Sequence, residues 1–205
     1  MSFDVNVGEV VTLLGRNGMG KTTTINSLMG IIKPHAGSIT YDGVEVLGKP
    51  SFKMANLGLG LVPEGRQIFP NLSVRENLIA TASNHLEMPE PWSKLAQRAT
   101  SMGNLLSGGE QQMLAVGRAL MTNPKLLILD EATEGLAPLI REKIWKALGQ
   151  IRDSGLSILI IDKNLTDLFK LADRHYIVEK GAVVWTGSST ELQMSEDIQY
   201  RYLGV

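Results

Sequence analysis

Short apolar runs separated by helical patterns organise this chain. Continuous apolar runs predict buried strands at residues 10–14, 57–62, 125–129 and 157–161. Helical patterns predict helices at residues 23–29, 74–82, 92–99, 108–121, 138–152 and 165–172, and in the tail from Thr190. Because strands alternate with helices, the sequence predicts an α/β fold with a mostly parallel central sheet.

Other strand signals add an antiparallel portion to this fold. Alternating apolar and polar residues predict a strand with one exposed face at residues 2–7. Asp42-Gly43, between two alternating runs, predicts a hairpin over residues 38–46. Lys180-Gly181 divides a second predicted hairpin over residues 175–186.

Residues 83–104 differ from the rest of the chain. They contain Pro89 and Pro91 and few periodic apolar positions. We expect a single domain over residues 1–205, with a small helical subdomain at about residues 71–122 inserted in its core. Two helix starts in this subdomain carry the spacing of a capping box, Ser73 with Glu76 and Ser107 with Glu110.

The strongest candidate for chemistry is the segment from Gly15 to Thr22, which has the P-loop pattern G-x-x-x-x-G-K-T between a predicted strand and a predicted helix. Glycines let backbone N–H groups turn inward around phosphate oxygens, and the helix N-terminus favours the same anion. Lys21 would reach the β- and γ-phosphates of a nucleotide, and Thr22 would ligate Mg²⁺. The alternative is an accidental glycine-rich turn, which the strand and helix on either side argue against.

Two acidic residues, Asp130 and Glu131, end the predicted strand at residues 125–129. In a P-loop fold a carboxylate there binds Mg²⁺ beside the phosphates. The adjacent carboxylate could polarise the attacking water. The alternative is a pair of solvated acids at a strand end.

A second possible anion site lies at Ser107-Gly108-Gly109. Two glycines lower helix propensity, yet they leave the start of a helix bare, with exposed N–H groups. A head-to-tail pair of subunits could use this segment by placing it on the partner's nucleotide. The alternative is an ordinary capped helix.

Composition narrows the classes of protein further. The chain has 205 residues and a net charge of −1, which does not favour nucleic acid as a partner. It contains no cysteine, so disulfides and thiol catalysis are excluded. It contains no apolar run of membrane-spanning length and no signal peptide pattern, so we expect a cytosolic protein. His35, His85 and His175 lack metal-ligand spacing, and we expect surface or core roles for them.

These motifs together resemble the ABC-type ATPases. Residues 106–112, Leu-Ser-Gly-Gly-Glu-Gln-Gln, match the family's signature motif, and residues 15–22 and 126–131 correspond to its Walker A and Walker B motifs. The strings at residues 61–72 and 134–139 resemble the LivF-type subunit of branched-chain amino-acid importers. The resemblance implies ATP and Mg²⁺ as cofactors and ATP hydrolysis that powers import. It also implies a head-to-tail dimer with itself or a homologous ATPase subunit, and attachment to the inner face of the membrane through permease subunits.

The resemblance also assigns roles to particular residues. The nucleotide-binding residues it implies are Gly15, Arg16, Asn17, Gly18, Met19, Gly20, Lys21, Thr22, Thr23, Ser107, Gly108 and Gly109. The metal ligands it implies are Thr22, Glu64 and Asp130. Catalytic roles fall on Glu131 and Lys163.

The sequence departs from the family pattern in five places. Glu64 stands where most members have the Q-loop glutamine, Lys163 replaces the switch histidine, and Ala137 replaces the D-loop aspartate. The N-terminus begins about where the family's second strand would be, so the first strand and its adenine-stacking aromatic residue are expected to be missing. Residues 83–104 are short for the family's helical subdomain.

Two other functions compete with transport. A DNA-repair or chromosome-organising ATPase would carry long heptad insertions between Walker A and the signature, but the interval from Lys21 to Ser107 is short and lacks sustained heptads. A regulatory nucleotide-binding module is the other alternative. Asp130 and Glu131 argue against it, whereas Lys163 and Ala137 leave it open.

Overall fold

The computed structural model describes residues 1–82 and 93–204, with the backbone alone at residues 93 and 94. The strands are β1 Val10–Leu14, β2 Thr40–Tyr41, β3 Val44–Glu45, β4 Leu59–Val62, β5 Leu126–Asp130, β6 Ser157–Ile161, β7 Arg174–Glu179 and β8 Ala182–Gly187. The helices are α1 Lys21–Leu28, α2 Ser51–Asn56, α3 Val74–Ile79, α4 Ser93–Ala96, α5 Gly108–Leu120, α6 Pro138–Asp153, α7 Leu165–Leu171, α8 Ser189–Met194 and α9 Glu196–Ile198. A 3₁₀ turn covers Gly103–Leu105, and a π-helical turn covers Gln199–Leu203.

The main sheet has six strands in the order β4-β5-β6-β1-β7-β8. All neighbours are parallel except β7 and β8, while β2 and β3 form a separate antiparallel pair. The predicted mostly parallel sheet with an antiparallel portion is therefore confirmed. The parallel order also brings the carboxyl ends of β1, β5 and β6 to one edge of the sheet, where Asp130 lies beside Ile161.

Both faces of the sheet are covered, which explains the continuous apolar runs. In β1, Val11 and Leu13 pack in a cluster with Ile25 of α1, whereas Val10 and Leu14 belong to a cluster on the opposite face with α5, α6 and α7. All five residues of β1 are buried. A strand buried on both faces needs apolar side chains at successive positions, so its pattern loses the alternation of a surface strand.

The helix starts follow their capping signals. Ser73 and Ser107 both form complete capping boxes, as their spacing predicts. A third box, Ser188 with Glu191, begins α8 and was not predicted. Most predicted strands and helices are confirmed within about two residues of their ends, which is the usual scatter of element boundaries.

The predicted strand at residues 2–7 is wrong. This segment has no ladder partner among the described residues and runs along the surface. The ring of Phe3 packs edge-on against Tyr176, with 5.8 Å between centroids. The carboxylate of Asp4 accepts hydrogen bonds from Arg174 at 2.8 Å and from the Tyr176 hydroxyl at 2.9 Å. The side chains of Phe3 and Asp4 therefore attach this segment to β7 without strand pairing.

Two helix predictions also differ from the structure. Helix α2 was missed because its six residues carry too short a pattern to stand out. The helix predicted at residues 92–99 is described only as α4, which ends at Ala96. Residues 83–92, with His85, Pro89 and Pro91, lie outside the described residues.

A buried hydrogen-bond chain joins β1, β7 and α8 through His175, which is completely buried. The Ser189 hydroxyl donates to the Ala172 carbonyl at 2.9 Å, so it accepts from His175 Nε2 at 2.8 Å. His175 Nδ1 then accepts from the Thr12 hydroxyl at 2.7 Å. The ring is neutral because burial lowers the pKa of His175 to about 4. His175 therefore has the core role, one of the two roles expected for the histidines.

This histidine predicts a loss of stability in mild acid. In the unfolded chain His175 takes up a proton near pH 6.5, and in the folded chain it does so only near pH 4. The free energy of unfolding should therefore fall as the pH is lowered from 6.5 to 4. The full loss is about 3 kcal/mol. Urea unfolding from pH 7 to pH 4 should show a shallower decline in His175→Gln, whose amide can both donate and accept. The exposed His35→Gln is the control, and equal slopes in His175→Gln and the wild type would contradict the prediction.

Candidate functional site

The segment from Gly15 to Thr22 forms a loop between β1 and α1. Gly20 precedes α1 with φ 98°, a left-handed conformation that glycine adopts readily. No side chain caps this helix start, and its first turn carries no acidic residue. The first N–H groups of α1 therefore face a position suited to an anion.

Close packing against β7 holds the start of this loop. Gly15 has φ 140°, and a Cβ there would lie 2.4 Å from the Val178 carbonyl oxygen. The register of β7 with β8 shifts between Ile177 and Val178, next to this contact. Only a residue without a side chain allows the two backbones to approach so closely.

The Lys21 side chain folds back into the loop. Its ammonium group donates to the Gly15 carbonyl at 2.7 Å and to the Arg16 carbonyl at 3.0 Å, and the residue is only 8% exposed. Burial lowers the pKa of Lys21, while the charges of Glu131 and Asp130 oppose this shift. A positive charge is therefore held within the loop, beside the N-terminus of α1.

Asp130 lies across from the loop at the end of β5. The Thr22 hydroxyl donates to Asp130 Oδ1 at 3.4 Å, and Asp130 is only 3% exposed. Burial raises the pKa of Asp130, and the charge of Glu64, which follows β4, raises it further. In the described part of the chain, no group of three His, Cys, Asp or Glu side chains could hold a metal. A divalent cation at Thr22 and Asp130 would need oxygens from elsewhere, such as phosphate oxygens.

Glu131 follows in a left-handed backbone conformation, φ 50°, which is strained for a residue with a side chain. Its amide donates to the Ile161 carbonyl at 2.8 Å, which ties this conformation to β6. A hydrogen bond with the carboxyl group of Glu134, together with burial, raises the pKa of Glu131 to about 7. Such a group is suited to accept a proton near neutral pH.

Lys163 lies against the acidic residues that follow β5. Its Nζ is 2.9 Å from Glu134 Oε1 and 3.7 Å from Glu131 Oε2. Glu134 was not among the sequence-predicted residues, because no part of the P-loop or strand-end pattern marks it. A buried hydrogen bond from the Thr133 hydroxyl to Asp162 joins the segments that carry these groups.

The structure brings the P-loop, Asp130, Glu131 and Lys163 to one edge of the sheet. It places Ser107-Gly108-Gly109 against different neighbours. A Cβ at Gly108 would lie 2.9 Å from the guanidinium of Arg66, and one at Gly109 would lie 2.5 Å from Ile140. Arg66, which the sequence motifs also did not identify, donates to the Gln111 side-chain oxygen at 3.4 Å.

The described residues therefore offer an uncapped helix start at α1, with a cluster of catalytic character beside it, and a helix start at α5 that Ser107 and Glu110 cap. The first can hold the phosphates of a nucleotide, and Glu131 stands where it could act on a water molecule near them. Among the helices described for residues 1–82 and 93–204, none combines the length and the hydrophobicity of a membrane span.

Comparison with known proteins gives a family and two full-length relatives. A family model described as ABC transporter matches residues 1–134. The chain is 39% identical to the high-affinity branched-chain amino acid transport ATP-binding protein BraG of Pseudomonas aeruginosa, over 100% of this chain and 91% of that protein. It is 35% identical to the lipopolysaccharide export system ATP-binding protein LptB of Escherichia coli K12, over 100% of this chain and 89% of that protein.

Solved structures have the same fold. A nucleotide-free ATP-binding cassette from an ABC transporter superposes with a TM-score of 0.82 at 25% identity, covering 93% of this chain and 86% of that one. The cassette MJ0796, solved as a dimer in a post-hydrolysis state with ADP and phosphate, has a TM-score of 0.78 at 22% identity, covering 91% of this chain and 88% of that one.

Proposed function

This chain belongs to the ATP-binding subunits of ABC transporters, which are ATPases, and from that premise we propose that it powers an importer of branched-chain amino acids. The observation that carries the proposal is the 39% identity to BraG along the full chain. The strings at residues 61–72 and 134–139 support the same assignment.

We propose that the edge of the sheet described above is the hydrolytic site. Residues 15–23 surround the phosphates of ATP with N–H groups, and the Lys21 ammonium leaves the Gly15 and Arg16 carbonyls to meet the β- and γ-phosphates. Thr22, Asp130 and Glu64 hold Mg²⁺, which neutralises phosphate charge when it is bound. Glu131 accepts the proton of the attacking water, and Lys163 faces the γ-phosphate as a point charge.

The start of α5 serves a second copy or a homologous subunit in this proposal. Gly108 packs on Arg66 and Gly109 packs on Ile140. In this proposal the N–H groups of these two glycines serve an anion that another subunit brings. The cassette MJ0796, which shares the fold, was solved as a dimer, and this supports a pair of subunits. Permease subunits then attach the pair to the cytoplasmic face of the membrane, since the described helices include no span of their own.

Import is tested by uptake in cells from which this gene is deleted. Uptake of labelled leucine, isoleucine and valine should fall, and uptake of an unrelated amino acid such as lysine should not change. The wild-type gene should restore uptake, and a Lys21→Ala copy should not.

Normal uptake of all three amino acids would contradict the importer assignment. The relation to LptB defines the competing outcome, which is a defect in lipopolysaccharide export. Hydrolysis of ATP without either defect would instead favour a non-transport ATPase.

A further inference from the structure

The segment of residues 64–69 follows β4 and lies against α5 in an unusual backbone conformation. Gly65, Arg66 and Gln67 have successive φ values of 78°, 66° and 43°. Glycine adopts such angles readily, but for Arg66 and Gln67 the left-handed region is uncommon and strained. Strain of this kind persists only where surrounding contacts hold it, and here those contacts come from α5.

Two arginines, one on each element, join this segment to α5. Arg118, in the last turn of α5, donates from Nη1 to the Gln67 carbonyl at 2.8 Å and lies over the Phe69 ring, 4.3 Å from its centroid. Arg66 reaches in the other direction and donates from Nη1 to Gln111 Oε1 at 3.4 Å. The segment is thus attached near the end of α5 by Arg118 and near its start by Arg66.

The guanidinium of Arg66 occupies the space in which a side chain at residue 108 would stand. A Cβ at Gly108 would lie 2.9 Å from Nη1, 3.1 Å from Nη2 and 3.2 Å from Cζ of that group. Gln111, the acceptor, is itself oriented by its amide group, which donates to the Gly103 and Leu106 carbonyls at 3.3 Å each. The glycine at residue 108 therefore makes room for Arg66, and the contact continues through Gln111 into the turn that precedes α5.

Ion pairing does not explain where Arg66 lies. The side chain is half-buried and forms no ion pair within the described part of the chain. The acid in the first turn of α5, Glu110, instead accepts from the Ser107 amide at 2.8 Å and pairs with Arg98 at 3.7 Å. The contacts that place Arg66 are therefore those with the glycine and the glutamine at the start of α5.

We propose that Arg66 is a positioning residue for the contact between the start of α5 and the nucleotide of a second subunit. The inference rests on the proposed role of residues 107–109 in that contact. By packing on Gly108 and bonding to Gln111, Arg66 sets the direction of the first N–H groups of α5. The contact with the partner's nucleotide then forms without a further cost of ordering this turn.

The proposal predicts a defect in pairing of subunits without a defect in nucleotide binding. In the Glu131→Gln protein with Mg-ATP, adding Arg66→Ala should weaken the dimer about tenfold, the effect of losing one hydrogen bond from a charged group. Arg66→Lys should give the same loss, because lysine keeps the charge but lacks the planar group that contacts Gly108 and Gln111. The affinity of the monomer for Mg-ATP should not change, since the phosphates bind at the start of α1.

Sedimentation over a series of protein concentrations measures the affinity of the dimer, and titration calorimetry on dilute protein measures the affinity for ATP. Arg75→Ala, which removes an exposed arginine from α3, is the matched control and should change neither. An unchanged dimer affinity in Arg66→Ala, or full recovery in Arg66→Lys, would overturn the proposal. A Glu131→Gln parent that stays monomeric in ATP would overturn the proposed α5 contact as well, so the two failures are distinguishable.

Amide hydrogen exchange without nucleotide gives a second measurement that does not depend on dimerisation. The amides of Ser107, Glu110 and Gln111 bond within the first turn of α5. They should exchange about tenfold faster in Arg66→Ala than in the wild type, while the amides of α1 should exchange as before. Unchanged exchange in α5 together with a weaker dimer would overturn the proposal, because Arg66 would then act on the nucleotide directly.

Discussion

Replacing Lys21 with alanine is expected to abolish measurable ATP binding and leave the fold intact. The Lys21 ammonium is the positive side chain held inside the loop, and it now bonds to two loop carbonyls that the phosphates would replace. Two charge-assisted hydrogen bonds lost from the nucleotide correspond to roughly a hundredfold or greater loss in affinity. The fold should survive because the removed contacts lie within one short loop.

Titration calorimetry with Mg-ATP measures the affinity, and thermal unfolding checks the fold. Lys33→Ala is the control, since it removes the same charge from an exposed position after α1. An unchanged affinity for ATP in Lys21→Ala would contradict the assignment of the P-loop to the nucleotide site.

The second large effect is expected from Glu131→Gln, which should bind ATP but hardly cleave it. The substitution keeps the size of the side chain and removes the group proposed to accept the proton. Loss of a general base lowers the rate by about 10²–10⁴. Glutamine suits the left-handed backbone at this position about as well as glutamate, so the φ of 50° adds no new strain.

In Glu131→Gln the uncleaved γ-phosphate should also hold two subunits together, so that the dimer can be detected. If the start of α5 contacts the partner's nucleotide, Glu131→Gln should dimerise in ATP and remain monomeric in ADP. Adding Ser107→Arg should abolish that dimer, because a large side chain blocks the helix start and removes the Ser107 capping box. Sedimentation of the full-length variants with Mg-ATP distinguishes these states.

Two results would contradict this arrangement. A monomeric Glu131→Gln at high protein concentration in ATP would leave the head-to-tail pair without support. A dimer that survives Ser107→Arg would place the contact on another surface. A Glu142→Gln protein, which changes an exposed acid on α6, should hydrolyse ATP normally and serves as the charge control.

The sequence by itself determined most of the elements and the order of the motifs. Buried strands such as β1 and β6 appear as unbroken apolar runs because helices cover both faces of the sheet. The strand, glycine loop and helix around Lys21 could be predicted because their signals are local, within about twenty residues. The strand position of Asp130 followed in the same way.

Only the tertiary structure decided which distant residues meet. The β4-β5-β6-β1 order places Lys163 beside Glu131 and Glu134, and no spacing in the chain records that pairing. The same order gave residues 2–7 no partner strand, although their alternation is local evidence for one. Local patterns specify how a segment can fold, whereas contacts across the sheet depend on strand order, which is a property of the whole chain.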